Sequence, residues 1–306
     1  MSHKPMHPDL MNMFKGVIQY KKKYAGQFIV VKFGGALAAD PEVITHIAEQ
    51  ASFLQHSFDA HIVLVHGGGI QIDNALKREK ITPQKDNAGL RITDLATLKT
   101  SDAALRALNG EVVSIFNAAA PDIKAVGMSG YDAQIISASP TSDDPENYTG
   151  HIQKIDTDYL KHVMSFGRGD VIPVIYPICH NPGVEEGENR LNVNADEVAS
   201  KLAAELGAKR LILCSDVTGV LDHERNLIPH MSIDEVDQKI AEGVITGGMI
   251  QKVRCAAHAA ELIPSGAVVI LDGRNETSVI TEFLHPDGSG TLVSTPDTLK
   301  AEGIVP

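Results

Sequence analysis

Tryptophan is absent from this chain of 306 residues, and aromatic residues make up only 5% of it, so the core has to be built from aliphatic side chains. Cysteine is scarce. Cys179, Cys214 and Cys255 are far apart and odd in number, which argues against a disulfide framework or a zinc set and fits reduced, mostly buried thiols. Positive charge is short as well: 27 Lys and Arg stand against 39 Asp and Glu, a formal net charge of −12. Nucleic acid is thereby excluded as a main partner, since no basic surplus exists to neutralise its phosphates. A local pocket for a small anion is not excluded. No run of about 18 apolar residues occurs, so no membrane-spanning helix is expected. The N-terminal stretch carries neither an apolar signal core nor an arginine-rich presequence, and the expected location is cytoplasmic. The remaining composition, 43% hydrophobic and 22% charged, is that of a globular protein with one large domain or two lobes.

The stretch that organises the chain is Phe28-Ile-Val-Val-Lys-Phe-Gly-Gly-Ala36. It reads as a buried strand with Lys32 near its C-terminal end, followed by Gly34 and Gly35 and a helix from Pro41. Beyond the carboxyl end of a strand, glycines let backbone N–H groups approach an anion, a helix N-terminus attracts it, and a lysine adds a point charge. That is equipment for phosphate. The device recurs at His61-Ile-Val-Leu-Val-His-Gly-Gly-Gly69, with a helix from Ile70 to Lys80 and His66 read as a structural histidine near the turn. No Gly-x-x-x-x-Gly-Lys-Ser/Thr loop or Gly-x-Gly-x-x-Gly fingerprint follows either strand. The His-Gly-Gly-Gly string matches the oxyanion-hole motif of esterases, but its required Gly-x-Ser-x-Gly elbow is missing, because Gly127-Met-Ser-Gly-Tyr131 fails at its last position.

Leu10, Met13, Phe14, Val17 and Ile18 share one face of an expected amphipathic helix over residues 10–24. Arg91 lies in a loop beside apolar Leu90 and Ile92, suited either to a surface ion pair or to bidentate capture of an anion. Thr93 or Asp94 caps the next helix, expected to run through Leu105, with another from Glu111 to Ala119. Short strands are expected at Lys124–Gly127, Gln134–Ser139 and Ile152–Ile155, with a helix at Asp158–Phe166. Pro173 marks Val171–Tyr176 as an edge or irregular strand. Residues 182–190 read as an exposed acidic turn between lobes. Asn192, Asn194 and Asp196 crowd a loop-to-helix junction, where Asp196 serves as a cap or lines a site. Asp216 and Thr218 follow the strand that starts at Leu211, Ile233–Gly243 reads as a helix, and Thr246-Gly-Gly-Met-Ile-Gln-Lys252 opens another. The alternation implies an α/β fold, a mostly parallel central sheet sandwiched by helices, preceded by the N-terminal amphipathic helix. The expected parts are an extension over 1–25, an N-terminal lobe over 26–181 and a C-terminal lobe over 182–306, one domain overall.

Six stretches in order, Val31-Lys-Phe-Gly-Gly35, Leu64-Val-His-Gly-Gly-Gly69, Gly89-Leu-Arg-Ile-Thr-Asp94, Asn192-Val-Asn-Ala-Asp196, Ser215-Asp-Val-Thr-Gly-Val-Leu221 and Gly247-Gly-Met-Ile-Gln-Lys252, resemble the amino-acid kinase family. The third and fourth resemble its branch acting on N-acetyl-L-glutamate. The resemblance implies ATP-dependent phosphorylation of that substrate's side-chain carboxylate, a step of arginine synthesis, with Mg2+ carried mainly by ATP and no metal held by protein side chains. It implies that Lys32 and Lys252 flank the moving phosphoryl group and that Asp196 orients both. Gly34 and Gly35 would meet ATP, with Asp216, Thr218 and Lys252 on the nucleotide side, while Gly68, Gly69, Arg91 and Asn192 would hold the acyl substrate. The N-terminal lobe would bind that substrate and dimerise, the C-terminal lobe would bind ATP, and the N-terminal helix would extend a homodimer to a hexamer. L-Arginine is the implied inhibitor, although Thr277 and Leu284–Gly288 depart from the arginine-binding pattern. Tyr131 stands where many relatives carry lysine, and Glu197 where a small or neutral residue is usual. Two other readings share the motifs: a sister kinase acting on a carrier-linked aminoadipate or glutamate, and a non-catalytic amino-acid-binding regulator.

Overall fold

The computed structural model describes residues 17–85, 91–166, 170–264, 266–285 and 287–304. Helix α1 covers 17–24; Leu10, Met13 and Phe14 lie outside the described residues. The elements then run β1 (Phe28–Phe33), α2 (Pro41–Phe58), β2 (His61–His66), α3 (Gly69–Arg78), β3 (Gln84–Lys85), β4 (Arg91–Ile92), α4 (Leu95–Ala119), β5 (Lys124–Ser129), β6 (Ile136–Pro140), β7 (Gly150–Ile155), α5 (Thr157–Met164) and β8 (Val171–Tyr176). The second half holds β9 (Ile178–His180), β10 (Arg190–Asn192), α6 (Ala195–Glu205), β11 (Arg210–Ser215), β12 (His230–Ser232), α7 (Val236–Ala241), α8 (Gly248–Leu262), β13 (Ala267–Asp272), α9 (Ser278–Leu284), β14 (Thr291–Ser294) and α10 (Pro296–Ala301).

Eight strands form the central sheet in the order β12-β14-β13-β11-β1-β2-β8-β5, with β13 and β14 antiparallel and the other neighbours parallel. Side chains alternate across a strand, so a sheet covered on both faces needs apolar residues at successive positions. The sequence obeys this. Ile29, Val31, Ile62 and Leu64 join α2, α4 and α9 in one buried cluster, while Val30, Val63 and Val65 join α5, α6 and α8 in the other. A second sheet, β10-β9-β6-β7, meets α6 through β7, and α6 in turn packs on β1, β2 and β11 of the first.

Several local expectations are revised. Helix α4 is one helix of 25 residues that passes through Gly110. A glycine inside a helix costs about 1 kcal/mol, less than the continuous stripe Leu105, Leu108, Val112 and Phe116 gains by burial. Strand β8 is interior, between β2 and β5. It pairs with β2 only at Val174 and Ile175, so Pro173 sits just before that ladder and removes no bond from it. On α1, Val17 and Tyr20 pack on the core and Tyr24 is buried, whereas Ile18 is exposed. The stretch Ile233–Gly243 begins as a 3-10 turn over Ile233–Glu235 before α7. The acidic turn is not wholly exposed: Glu188 and Arg190 are half-buried and paired, and Arg190 also bonds Asp102 of α4.

Candidate active site

Four neighbouring strands, β13, β11, β1 and β2, deliver their C-terminal ends to one rim of the sheet. Ligands of open α/β sheets bind there. The first two glycine turns touch: a Cβ on Gly34 would lie 3.3 Å from the Gly67 nitrogen and 3.7 Å from Lys32 Nζ. Gly35 has φ +58, a left-handed conformation that glycine adopts without strain. Helices α3 and α8 have glycine N-caps, Gly68 and Gly247, which bring no capping side chain to the helix start, where the macrodipole attracts an anion. In α8 the Met249 and Ile250 N–H groups already meet the Thr246 and Gly247 carbonyls.

Lys32 Nζ lies 2.6 Å from Asp196 Oδ1. The cap of α6 is Asn194, whose side chain accepts from the Asp196 N–H, and the Asp196 carboxylate is therefore free to reach across to β1. Lys252, on the first turns of α8, donates to Ser215 Oγ at 2.5 Å and to Asp216 Oδ1 at 3.1 Å. Among the described residues Asp196 ion-pairs with Lys32 alone, so each lysine has its own carboxylate. The lysine bond holds the Asp216 carboxyl below its ordinary pKa. Both ammonium groups line one small cavity of about 60 Å³ with Asp196, Ser215, Cys214 and Cys255. Burial pushes these two thiols up, to about 12 and about 11, so neither is a thiolate at neutral pH.

Next to it lies a cavity of about 220 Å³, lined by Gly67, Gly68, Gly69, Arg91, Asn192 and the first residues of α6. Arg91 is on the short strand β4 and its side chain is only 11% exposed. Its Nη2 meets Asp73 Oδ1 at 2.5 Å, while Nη1 is buried with no hydrogen-bond partner among the described residues. A buried, unpartnered guanidinium nitrogen carries a desolvation penalty that an anionic ligand relieves. Asn192 Nδ2 donates to Thr93 Oγ1 (3.2 Å), and the Thr93 and Thr149 hydroxyls both donate to the Arg91 carbonyl. These bonds fix the backbone from which the guanidinium projects. Thr218 is exposed and lies three residues past the end of β11, outside both cavities.

Residues 27–270 match the model of the amino acid kinase family. This chain belongs to the amino acid kinase family. Two similar amino acid kinases are the acetylglutamate kinase of Acinetobacter baylyi, 35% identical over 99% of this chain and all of that one, and the acetylglutamate kinase of Bradyrhizobium diazoefficiens, 36% identical over 93% and 97%. Among solved structures, the N-acetylglutamate synthase of Neisseria gonorrhoeae, in complex with coenzyme A and L-arginine, has a TM-score of 0.75 at 24% identity. The match covers 93% of this chain and 65% of the synthase. Carbamate kinase from Giardia lamblia bound to AMP-PNP has a TM-score of 0.60 at 15% identity, over 89% and 99%. At these identities the two structures establish the fold alone.

Several contacts at this amino acid kinase site have no motif that announces them. Asp73 reaches Arg91 across 18 positions, Ser215 meets Lys252, and Arg274 bonds both the Asp216 carbonyl and the Asp272 carboxylate. Burial raises the Asp272 carboxyl, but the Arg274 bonds outweigh it and leave the pKa lowered. Glu197 accepts the Ile152 N–H at 2.9 Å and meets His151 Nδ1 at 3.2 Å, which ties the β7 wall of the larger cavity to α6. Tyr131 donates its hydroxyl to Asn189 at 2.8 Å. Of these residues, Ser215 opens one of the six motifs, and Glu197 and Tyr131 stand out as departures from the resembled pattern.

Proposed function

We propose that this chain is an acetylglutamate kinase, which transfers the γ-phosphoryl group of ATP to the side-chain carboxylate of N-acetyl-L-glutamate in the second step of arginine synthesis. A carboxylate oxygen attacks the γ-phosphorus, the bond to the β–γ bridging oxygen breaks, and ADP leaves with that electron pair. The products are N-acetyl-L-glutamyl 5-phosphate and ADP. The observation that carries the reading is the buried Arg91 Nη1, unpartnered among the described residues, in a cavity next to two lysines.

Transfer between two anions needs alignment and charge neutralisation more than covalent help. Lys32 and Lys252 approach the moving phosphoryl group from adjacent sides and stabilise the charge spread over its oxygens. Asp196 aims Lys32, and Asp216 with Ser215 aims Lys252. Gly34 and Gly35 offer backbone N–H groups to the ATP phosphates, with Asp216 and Thr218 on the nucleotide side. Gly68 and Gly69 do the same for the acyl acceptor. Arg91 and Asn192 grip the α-carboxylate and acetamido end, where a planar guanidinium suits a carboxylate. The divalent ion is Mg2+. It would be carried mainly by the ATP phosphates and not by protein side chains. When bound it neutralises phosphate charge.

The division of labour follows the lobes, with the acyl substrate on 26–181 and ATP on 182–306. The working form is a cytoplasmic homodimer built through the N-terminal lobe, extended towards a hexamer by residues 1–25. L-Arginine is the inhibitor. Its site is the cavity of about 260 Å³ between α1 and the C-terminal elements, where Tyr20 and Lys23 face Glu282 and Glu302.

The test is coupled ADP release with Mg-ATP on N-acetyl-L-glutamate, glutamate, aspartate and UMP. Activity on N-acetyl-L-glutamate alone, lost in Lys252→Ala, is the expected result. A folded protein inactive on all four would refute the proposal.

A further inference from the structure

Strand β2 ends in a fully buried histidine that the proposed transfer does not touch. His66 lies between the rings of Phe33 and Tyr176, at centroid distances of 6.2 and 6.1 Å. Asn109 of α4 points its amide nitrogen at the Val174 carbonyl oxygen (2.9 Å) and at His66 Nε2 (3.0 Å). An amide NH2 has two protons to give and accepts nothing. The Val174 carbonyl fixes which way round the Asn109 amide stands, so Nε2 must be the accepting nitrogen. The ring proton is then on Nδ1, which lies 3.1 Å from the Gly67 carbonyl oxygen and donates to it. Gly127 on β5 leaves room for the arrangement, since a Cβ there would stand 1.9 Å from Asn109 Oδ1. Burial also pushes the imidazole down to about 4, so the ring is neutral in the working range of pH.

The consequence concerns one peptide plane. The Gly67–Gly68 bond is trans, so its C=O and N–H point in opposite directions. A carbonyl held by His66 turns the Gly68 N–H away from the histidine, and no acceptor among the described residues takes it. Gly67, Gly68 and Gly69 all line the larger cavity. We infer that His66 is a positioning residue: with its proton placed by Asn109, it clamps the Gly67–Gly68 peptide so that the Gly68 N–H is presented to the acyl acceptor. What occupies the cavity rests on the function proposed above; the tautomer and the clamp do not.

The experiment has two arms on the full chain. In 1H–15N multiple-bond spectra, the His66 ring of the wild type should be the Nδ1–H tautomer, unchanged between about pH 8 and pH 5.5. Asn109→Asp replaces the donor at Nε2 by an acceptor and should move the proton to Nε2. In kinetics, His66→Leu should lower kcat/KM for N-acetyl-L-glutamate by about tenfold or more, the value of one hydrogen bond to a charged group, with the KM for ATP little changed. His66→Asn, whose amide nitrogen stands near the Nδ1 position, should recover most of it. An Nε2–H or doubly protonated ring in the wild type would overturn the inference. So would a folded His66→Leu with wild-type kcat/KM, or an Asn variant no better than Leu. If the Leu variant does not fold, the spectra and the Asn variant decide. The tautomer counts for or against the clamp whether or not N-acetyl-L-glutamate proves to be the substrate, so the two readings fail separately.

Discussion

Glu302, at the end of α10, holds Arg210 at the start of β11 through two hydrogen bonds of 2.9 and 2.6 Å. Both side chains are well inside, with 12% and 4% exposure. Burial alone would raise the Glu302 pKa; the Arg210 bonds and charge, helped by Lys23 and Lys209, outweigh it and bring the group from 4.5 down to about 2. A gap of about 2.5 units is worth about 3 kcal/mol, at roughly 1.4 kcal/mol per unit. The folded-state pKa is the depressed one. The stability is therefore fully present above pH 4.5 and lost as pH falls through the folded value. Glu302→Gln has nearly the shape of the protonated acid. It should be less stable than the wild type by about 3 kcal/mol near pH 7, and the difference should close as pH falls from about 4.5 towards 2. Glu282, in the same cavity, titrates in the opposite sense, because burial raises its pKa. Its contribution is present at low pH and lost as pH rises through the folded value. Burial is the largest cause of that shift and is common to both proteins, but the Glu302 charge adds to it, so the Glu282 titration is compared in both proteins and not assumed to cancel. Urea unfolding followed by circular dichroism at stepped pH measures the difference. A gap independent of pH, or one under about 1 kcal/mol at neutral pH, would refute the linkage argument.

Arg91→Lys keeps the charge and loses the planar fork, so the KM for N-acetyl-L-glutamate should rise about ten- to hundredfold with a smaller change in kcat; steady-state kinetics in which kcat falls and KM stays put would contradict the assigned grip. Asp196→Asn releases Lys32 from its 2.6 Å partner and should lower kcat on the order of 10²-fold, the cost of a misplaced catalytic group. An Asp196→Asn enzyme with unaltered kcat in ADP-release assays would remove Asp196 from the machinery.

The strand–glycine–helix units were legible because short continuous apolar runs, glycine and lysine are local signals. Lys32, Gly68, Arg91, Asp196 and Lys252 do converge at the rim of four adjacent strands. Pairing across distance was not legible. Asp196 reads equally well as a cap or as a site residue until the Asn194 bond is seen, and nothing near Lys252 announces that Asp216 and not Asp196 is its partner. Gly110 looked like a break because propensity is local, whereas the buried stripe that overrides it depends on the sheet beneath. Asp73 lacks any local cue, since its role exists only once β4 lies beside α3.

Strand β1 has its two neighbours at very different distances along the chain. It pairs with β2 about 35 residues later, but Ile29 meets Arg210 only about 180 residues later. Synthesis at roughly 5–20 residues per second leaves one edge of the strand that carries Lys32 uncovered for about 10–40 s on the ribosome. That edge is a row of unpaired backbone groups flanked by valine and isoleucine, the kind of surface another chain can pair with. The strand at the centre of the finished sheet is thus an edge strand during much of the chain's synthesis, and yield in the cell should depend on what shields it in that interval.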